Sequence, residues 1–191
     1  MLFEDDSRID LTIMTMQTFL LNHIDKQLTK CLLDKDKKLS NLSSNDKSET
    51  WIKKIDEKTF LNTCSEFFWE IQNMAKGIKR DELSFTMFIR DVSLRDMLNC
   101  VVDEYIGMNN DYSVSVGTLG KYRKKYLSQI QYELYQKTYL SNAVEDIWES
   151  LFCMIDLFSI LGKCIAKKYG YKYPEADERY MKNYLNRIMK Y

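Results

Sequence analysis

From Thr50 onward, apolar residues recur at three- and four-residue steps. Phe60, Cys64, Phe67, Phe68, Ile71, Ala75 and Ile78 share one stripe, which predicts a helix with a buried face. Leu94, Met97, Leu98, Val101 and Tyr105 repeat the pattern, with Gly107 placed to end that helix. Ile130, Leu134 and Tyr135 predict another after the basic run Lys121-Tyr122-Arg123-Lys124-Lys125-Tyr126. The longest predicted helix covers about residues 143–169. Its seam is Ile147, Leu151, Met154, Phe158, Leu161 and Ile165, and Gly170 is its stop. Pro174 opens a last helix, where proline near the first turn is harmless. The seam expected there is Tyr180, Tyr184, Leu185 and Ile188. The pattern amounts to a bundle of five or six helices without internal repeats.

The first 40 residues read differently. Met1-Leu2-Phe3 and Ile9 to Met14 are partly β-branched runs around Asp5-Asp6-Ser7-Arg8, the pattern of a hairpin. Asp10 and Thr12 would share one strand face, with Ile9, Leu11 and Ile13 on the other. Residues 18–29 predict a short helix, and Lys30-Cys31-Leu32-Leu33 a third strand. Residues 39–48 have the Ser, Asn and Asp density of a loop or linker. A hairpin plus one strand is marginal without a covering layer.

Composition narrows the function classes. The 28 basic and 28 acidic side chains cancel, which removes the electrostatic footprint of a nucleic-acid binder. No apolar run reaches the roughly 18 residues of a membrane span, and Met1-Leu2-Phe3 runs directly into Glu4-Asp5-Asp6, unlike a signal peptide. The expectation is a cytoplasmic protein with neither membrane nor nucleic acid as partner. Five scattered cysteines without a C-x-x-C pair lack zinc or dithiol geometry. Cys64, Cys100, Cys153 and Cys164 lie in apolar helical contexts and read as small hydrophobes. The single histidine, His23, has no second histidine with which to build a zinc-hydrolase or triad site.

Two constellations can carry chemistry. Trp69, Asn73, Lys76 and Arg80 fall at i, i+4, i+7 and i+11 along one helix stripe, and Asp81 and Glu82 follow where the helix ends. An aromatic plate, an amide, two cations and two carboxylates suit the wall of a polar-ligand pocket. A solvated face with local ion pairs is the competing reading. Asp10, on a strand edge, can hold a divalent cation only with further oxygen ligands. No Gly-rich phosphate cradle is present. The basic run 121–125, with its interleaved tyrosines, reads as a solvated helix start.

Several long strings resemble the aminoglycoside 6-adenylyltransferase (streptomycin adenylyltransferase) family. They are Cys64-Ser65-Glu66-Phe67-Phe68-Trp69-Glu70-Ile71-Gln72-Asn73-Met74-Ala75-Lys76-Gly77-Ile78-Lys79-Arg80-Asp81-Glu82-Leu83, Tyr105-Ile106-Gly107, Asp111-Tyr112-Ser113-Val114-Ser115-Val116-Gly117, Glu145-Asp146-Ile147-Trp148 and Gly170-Tyr171-Lys172-Tyr173-Pro174. Shorter matches are Gly120-Lys121 and Lys124-Lys125-Tyr126-Leu127. Near the start, Met1-Leu2-Phe3-Glu4-Asp5, Arg8-Ile9-Asp10-Leu11-Thr12 and Leu33-Asp34-Lys35-Asp36 resemble the end of that family's nucleotidyltransferase domain.

The resemblance implies a mainly α chain. Residues 1–48 would be the incomplete C-terminal part of a polymerase-β-type α+β nucleotidyltransferase domain, a small β remnant. Residues 49–191 would be a helical C-terminal bundle. It implies AMP transfer from ATP to a streptomycin hydroxyl, a resistance reaction, with magnesium held by three carboxylates. Asp10 matches the third of these. Trp69, Asn73, Lys76, Arg80, Asp81 and Glu82 fall in the helical signature and become candidate substrate contacts. Because streptomycin is cationic, Asp81 and Glu82 suit it better than Lys76 or Arg80, which suit ATP phosphates or internal ion pairs.

The family's first two metal carboxylates sit in a D-x-D element after a Gly-Ser-Arg turn, and these 191 residues contain no such pair upstream of Asp10. Asp34-Lys35-Asp36 has the spacing but follows the third-carboxylate strand. The expectation is therefore a truncated family member, inactive alone unless another chain supplies the Gly-Ser and D-x-D half. The alternative is a non-catalytic helical module binding an aminoglycoside or a protein. An exposed apolar face at Leu2, Ile9, Leu11 and Ile13 would favour a missing partner.

Overall fold

The computed structural model describes residues 1–23, 31–39 and 47–190. They divide into two compact units, Met1–Thr50 and Trp51–Tyr191.

In the first unit the expected hairpin narrows to one antiparallel bridge, Leu2 with Arg8. The Phe3 N–H donates to the Ser7 carbonyl at 2.9 Å, and the Ile9 N–H to the Met1 carbonyl at 2.9 Å. Beyond Ile9 the backbone finds no ladder partner among the described residues, because Cys31, Leu32 and Leu33 form no third strand. Lys30 and most of the predicted 39–48 loop lie outside the described residues. Helix α1 is Met16–His23; the rest of the predicted 18–29 helix and the His23 side chain are likewise outside. Leu2, Ile9, Leu11 and Ile13 are all exposed.

The second unit is helical throughout, as the periodicity predicts. Asp56 caps α2, Glu57–Lys79, by accepting the Thr59 N–H at 2.8 Å. The helix buries Phe60, Cys64, Phe67, Phe68, Ile71, Met74 and Ala75. It ends in a Schellman turn: the Glu82 N–H donates to the Gly77 carbonyl at 3.0 Å, and the Asp81 N–H to Ile78 at 3.2 Å. Asp81 fills the left-handed position, φ 57°, that glycine usually takes.

The next helix starts much earlier than the apolar pattern indicates. Helix α3, Leu83–Phe88, continues through a π-turn, Ile89–Leu94, into α4, Arg95–Asn109. Over this stretch Ile89 and Leu94 are buried, but several neighbours have inverted polarity. Phe85, Phe88 and Val92 face solvent, whereas Thr86, Arg90 and Arg95 are buried. The i to i+5 repeat of a π-turn stacks Arg90 and Arg95 on one face. Arg90 donates to the Leu140 and Ser141 carbonyls at 3.1 and 3.2 Å. Arg95 donates to the Thr138 carbonyl at 2.6 Å and lies 3.6 Å over the Tyr139 ring. Together they bind the carbonyls left free beyond α5, Gln129–Lys137.

Gly107 does not end its helix; α4 continues to Asn109. The glycine instead makes room, since a Cβ there would lie 2.7 Å from the Tyr112 ring and 2.9 Å from Ile52. Asp111 and Tyr112 both adopt left-handed φ, 49° and 52°, a cost of roughly 1–2 kcal/mol per residue. Opposing it, the Tyr112 hydroxyl bonds the buried Glu104 carboxylate and the Tyr169 hydroxyl, the latter at 2.6 Å. Glu104 also accepts the Ile55 N–H at 3.0 Å.

The basic run is not a solvated helix start. It forms a 3-10 turn, Arg123–Lys125, with Arg123 buried, and α5 begins only after the Ser128 capping box. Helix α6, Val144–Tyr169, is the central rod, and Gly170 closes it at φ 73°. Phe158 on this rod stacks on Phe67 of α2, centroids 3.8 Å apart. Helix α7, Glu175–Ile188, follows Pro174. Leu185 is buried and Tyr184 and Ile188 pack at the core edge, but Tyr180 is exposed. Five residues before Leu185, it points about 140° away from that seam. Cys64 and Cys153 are buried, and Cys100 is partly so. Burial, with Cys100 alongside, pushes the Cys64 thiol up to about 12. Cys164, expected in the core, faces solvent. No helix among the described residues is long and apolar enough to cross a membrane.

Candidate functional site

The predicted stripe runs along the outer side of α2. Trp69 is 63% exposed. Asn73 and Lys76 are half-buried and engaged within the helix: the Asn73 amide donates to Glu70 at 3.3 Å, and the Lys76 ammonium to Gln72 at 3.1 Å. Arg80, Asp81 and Glu82 are exposed at the α2–α3 turn. Among the described residues, their side chains join no ion pair. Arg80, Asp81 and Glu82 thus gather at the C-terminal end of α2, while Trp69 lies about one turn before Asn73.

Trp69 belongs instead to a groove of about 410 Å³ between α2 and α7. Ser65, Glu66, Phe68 and Trp69 form one wall, and Asp177, Tyr180 and Met181 the other. The stripes are helical neighbours, Ser65 to Trp69 at i+4 and Asp177 to Tyr180 at i+3. Phe68 is buried and floors the groove, while Tyr180 is 62% exposed and presents its ring to solvent. Glu66, Asp177 and Tyr180 escaped the sequence reading. Tyr180 was expected in the α7 seam, and no local spacing joins residues more than a hundred positions apart. The one sequence signal is the i, i+3 spacing of Asp177 and Tyr180 on one predicted helix.

Asp10 lies in the first unit, with its carboxylate held by Arg8; the Arg8 Nε donates to Oδ1 at 2.9 Å. Both side chains are exposed. The Asp34 carboxylate accepts the Lys38 and Leu39 N–H groups at 3.1 and 2.8 Å, so Asp34-Lys35-Asp36 is built as a turn. Among the described residues no three His, Cys, Asp or Glu side chains stand close enough to hold a metal ion. These residues do not by themselves fit magnesium, which needs an octahedron of oxygens.

Residues 1–188 match the family model described as streptomycin adenylyltransferase, and the chain belongs to that family. It is 31% identical to an aminoglycoside 6-adenylyltransferase of Bacillus subtilis (strain 168), over 93% of this chain and 63% of that protein. The enzymes of the same name from Staphylococcus aureus and Campylobacter jejuni are 29% and 28% identical, over 93% and 100% of this chain and 64% and 66% of theirs. The chain thus spans just under two thirds of the length of these relatives. In three dimensions it resembles the crystal structure of an aminoglycoside 6-adenyltransferase from Bacillus subtilis. The TM-score is 0.66 at 30% identity, over 76% of this chain and 54% of that one.

Proposed function

We propose that this protein serves adenylyl transfer from ATP to a hydroxyl of an aminoglycoside, with streptomycin as the acceptor. The observation that carries this reading is the family match along residues 1–188. In it, residues 49–191 form the helical, acceptor-binding part, and residues 1–48 the C-terminal end of the nucleotidyltransferase domain. Trp69, Asn73, Asp81 and Glu82 contact the acceptor, and Lys76 and Arg80 face phosphate or neighbouring acids. Asp10 contributes one metal carboxylate once it leaves Arg8. Use of ATP fits a cytoplasmic setting.

The 191 residues alone do not complete the nucleotide site in this reading. Support comes from the D-x-D pair missing upstream of Asp10 and from the lack of a three-acid cluster among the described residues. The exposed Leu2, Ile9, Leu11 and Ile13 then form the surface on which a segment carrying the Gly-Ser turn and D-x-D pair packs. The second reading, a binding module without chemistry, is favoured by the same missing cluster beside an intact α2–α7 groove.

The test is pyrophosphate release from ATP, magnesium and streptomycin. The chain alone is expected to be silent, and adding a polypeptide with the Gly-Ser and D-x-D half is expected to start release. Turnover by the chain alone at an ordinary enzymatic rate overturns the incomplete-site reading. Silence in both cases, with streptomycin binding by calorimetry, supports the module.

A further inference from the structure

We propose that the α2–α7 groove is the seat of a guanidinium- or ammonium-bearing sugar ring, held between Trp69 and Tyr180 and neutralised by Glu66 and Asp177. The inference rests on the acceptor reading above and adds the residues that would recognise the acceptor's charge.

Three features converge on this ligand class. First, the seven lining residues include two carboxylates and no cation. Among the described residues, neither Glu66 nor Asp177 forms an ion pair. Two uncompensated acids on facing helices select a cation. Second, Trp69 and Tyr180 stay over 60% exposed, although the unit buries Phe60, Phe67 and Phe158 completely. Aromatic faces beside carboxylates hold organic cations through the ring quadrupole and the apolar faces of sugar rings by contact. Third, about 410 Å³ falls in the small-molecule range. Phe68 and Met181 supply an apolar floor and the Ser65 hydroxyl a hydrogen-bond partner, the mixture that a hydroxylated, charged ring requires.

The three tryptophans, Trp51, Trp69 and Trp148, provide the readout. The ¹⁵N-labelled chain is titrated with streptomycin and separately with kanamycin, a cationic amino sugar without guanidinium groups. Calorimetry runs in parallel on wild type, Glu66→Gln, Asp177→Asn and Trp69→Phe, with circular dichroism confirming that each variant folds. The Trp69→Phe spectrum identifies the Trp69 indole signal. The expected result is a streptomycin-dependent shift of the Trp69 indole with the buried Trp148 unmoved. The affinity loss expected is about three- to tenfold for each acid variant. If streptomycin binds but Trp69 does not shift, or the acid variants bind as wild type, the groove assignment is overturned and the acceptor reading stands. If streptomycin is silent while kanamycin shifts Trp69 through Glu66 and Asp177, the groove assignment holds and the streptomycin reading falls. If neither moves Trp69, the groove assignment is overturned.

Discussion

Arg123 and Asp103 are joined by two parallel hydrogen bonds, Nε to Oδ1 at 2.7 Å and Nη2 to Oδ2 at 2.8 Å. The guanidinium is buried and also donates to the Tyr135 hydroxyl at 3.2 Å. Burial works against its charge, but Asp103 and Tyr135 outweigh that and raise its pKa. Removing the acid leaves an uncompensated buried cation. Asp103→Asn is expected to cost about 2–3 kcal/mol, somewhat below the roughly 3–5 kcal/mol of a fully buried pair because Asp103 is partly solvated. Urea unfolding measures this, and the pair Asp103→Leu with Arg123→Met is expected to recover much of the loss.

Glu178 is a carboxyl held well below its ordinary value. Burial raises the Glu178 carboxyl, but Lys163, Ser159 and Lys182 more than reverse this and bring it down to about 2 from 4.5. Its ion pairs with Lys163 and Lys182 measure 2.7 and 3.0 Å. A depressed carboxyl stabilises the fold above its unfolded value and loses that contribution as pH falls toward the folded one. Both lysines are over a third exposed, so the screened contribution is on the order of 1–2 kcal/mol. Glu178→Gln is expected to be less stable than wild type at pH 7, with the gap closing between pH 4.5 and about 2. Equal gaps at both ends of that range would contradict it.

Gly107 and Gly170 separate two reasons for a glycine. At Gly107 a methyl meets the Tyr112 ring at 2.7 Å, and that ring is fixed by Glu104 and Tyr169. Gly107→Ala is expected to destabilise by about 1–3 kcal/mol despite alanine's better helix propensity. At Gly170 nothing lies within 4 Å, so Gly170→Ala is expected to lose only the left-handed penalty of about 1 kcal/mol. Thermal melts of the two variants check the ordering.

Asp81 offers a stability gain set against function. Its left-handed φ of 57° suits glycine better, so Asp81→Gly is expected to stabilise by roughly 0.5–1 kcal/mol. If Asp81 contacts a cationic acceptor, the same change weakens streptomycin binding by calorimetry. A stabilised variant with unchanged affinity removes Asp81 from the acceptor site.

The helical core was legible because α2 and α6 follow the 3.6-residue period closely: Phe60, Phe67 and Ile71, and Leu151, Phe158 and Ile165, are all fully buried. The segment 83–93 was not, because beside Ile89 its buried face carries Thr86 and Arg90 while its phenylalanines look outward. Periodicity reads hydrophobicity, and here a cation fills a core position by bonding carbonyls fifty residues away. The same blindness hid Arg123 inside a basic run and Tyr180 inside an expected seam. In the candidate site, the α2 members followed from spacing on one helix. Asp177 and Tyr180 required knowing that α7 returns to α2, a tertiary fact that no local pattern encodes.

The π-turn at Ile89–Leu94 makes chain length there a phase setting rather than a spacer. Each residue of an ordinary helix advances the winding by about 100°. A π-turn takes one extra residue into its wider turn, so α3 and α4 keep the phase of a regular helix one residue shorter. A further residue inserted there has no such turn to absorb it and would swing α3 by about 100°, carrying Arg90 away from the carbonyls of Leu140 and Ser141. A one-residue insertion at this point is therefore expected to be harsher than a one-residue deletion, which leaves a regular helix with its flanks in phase.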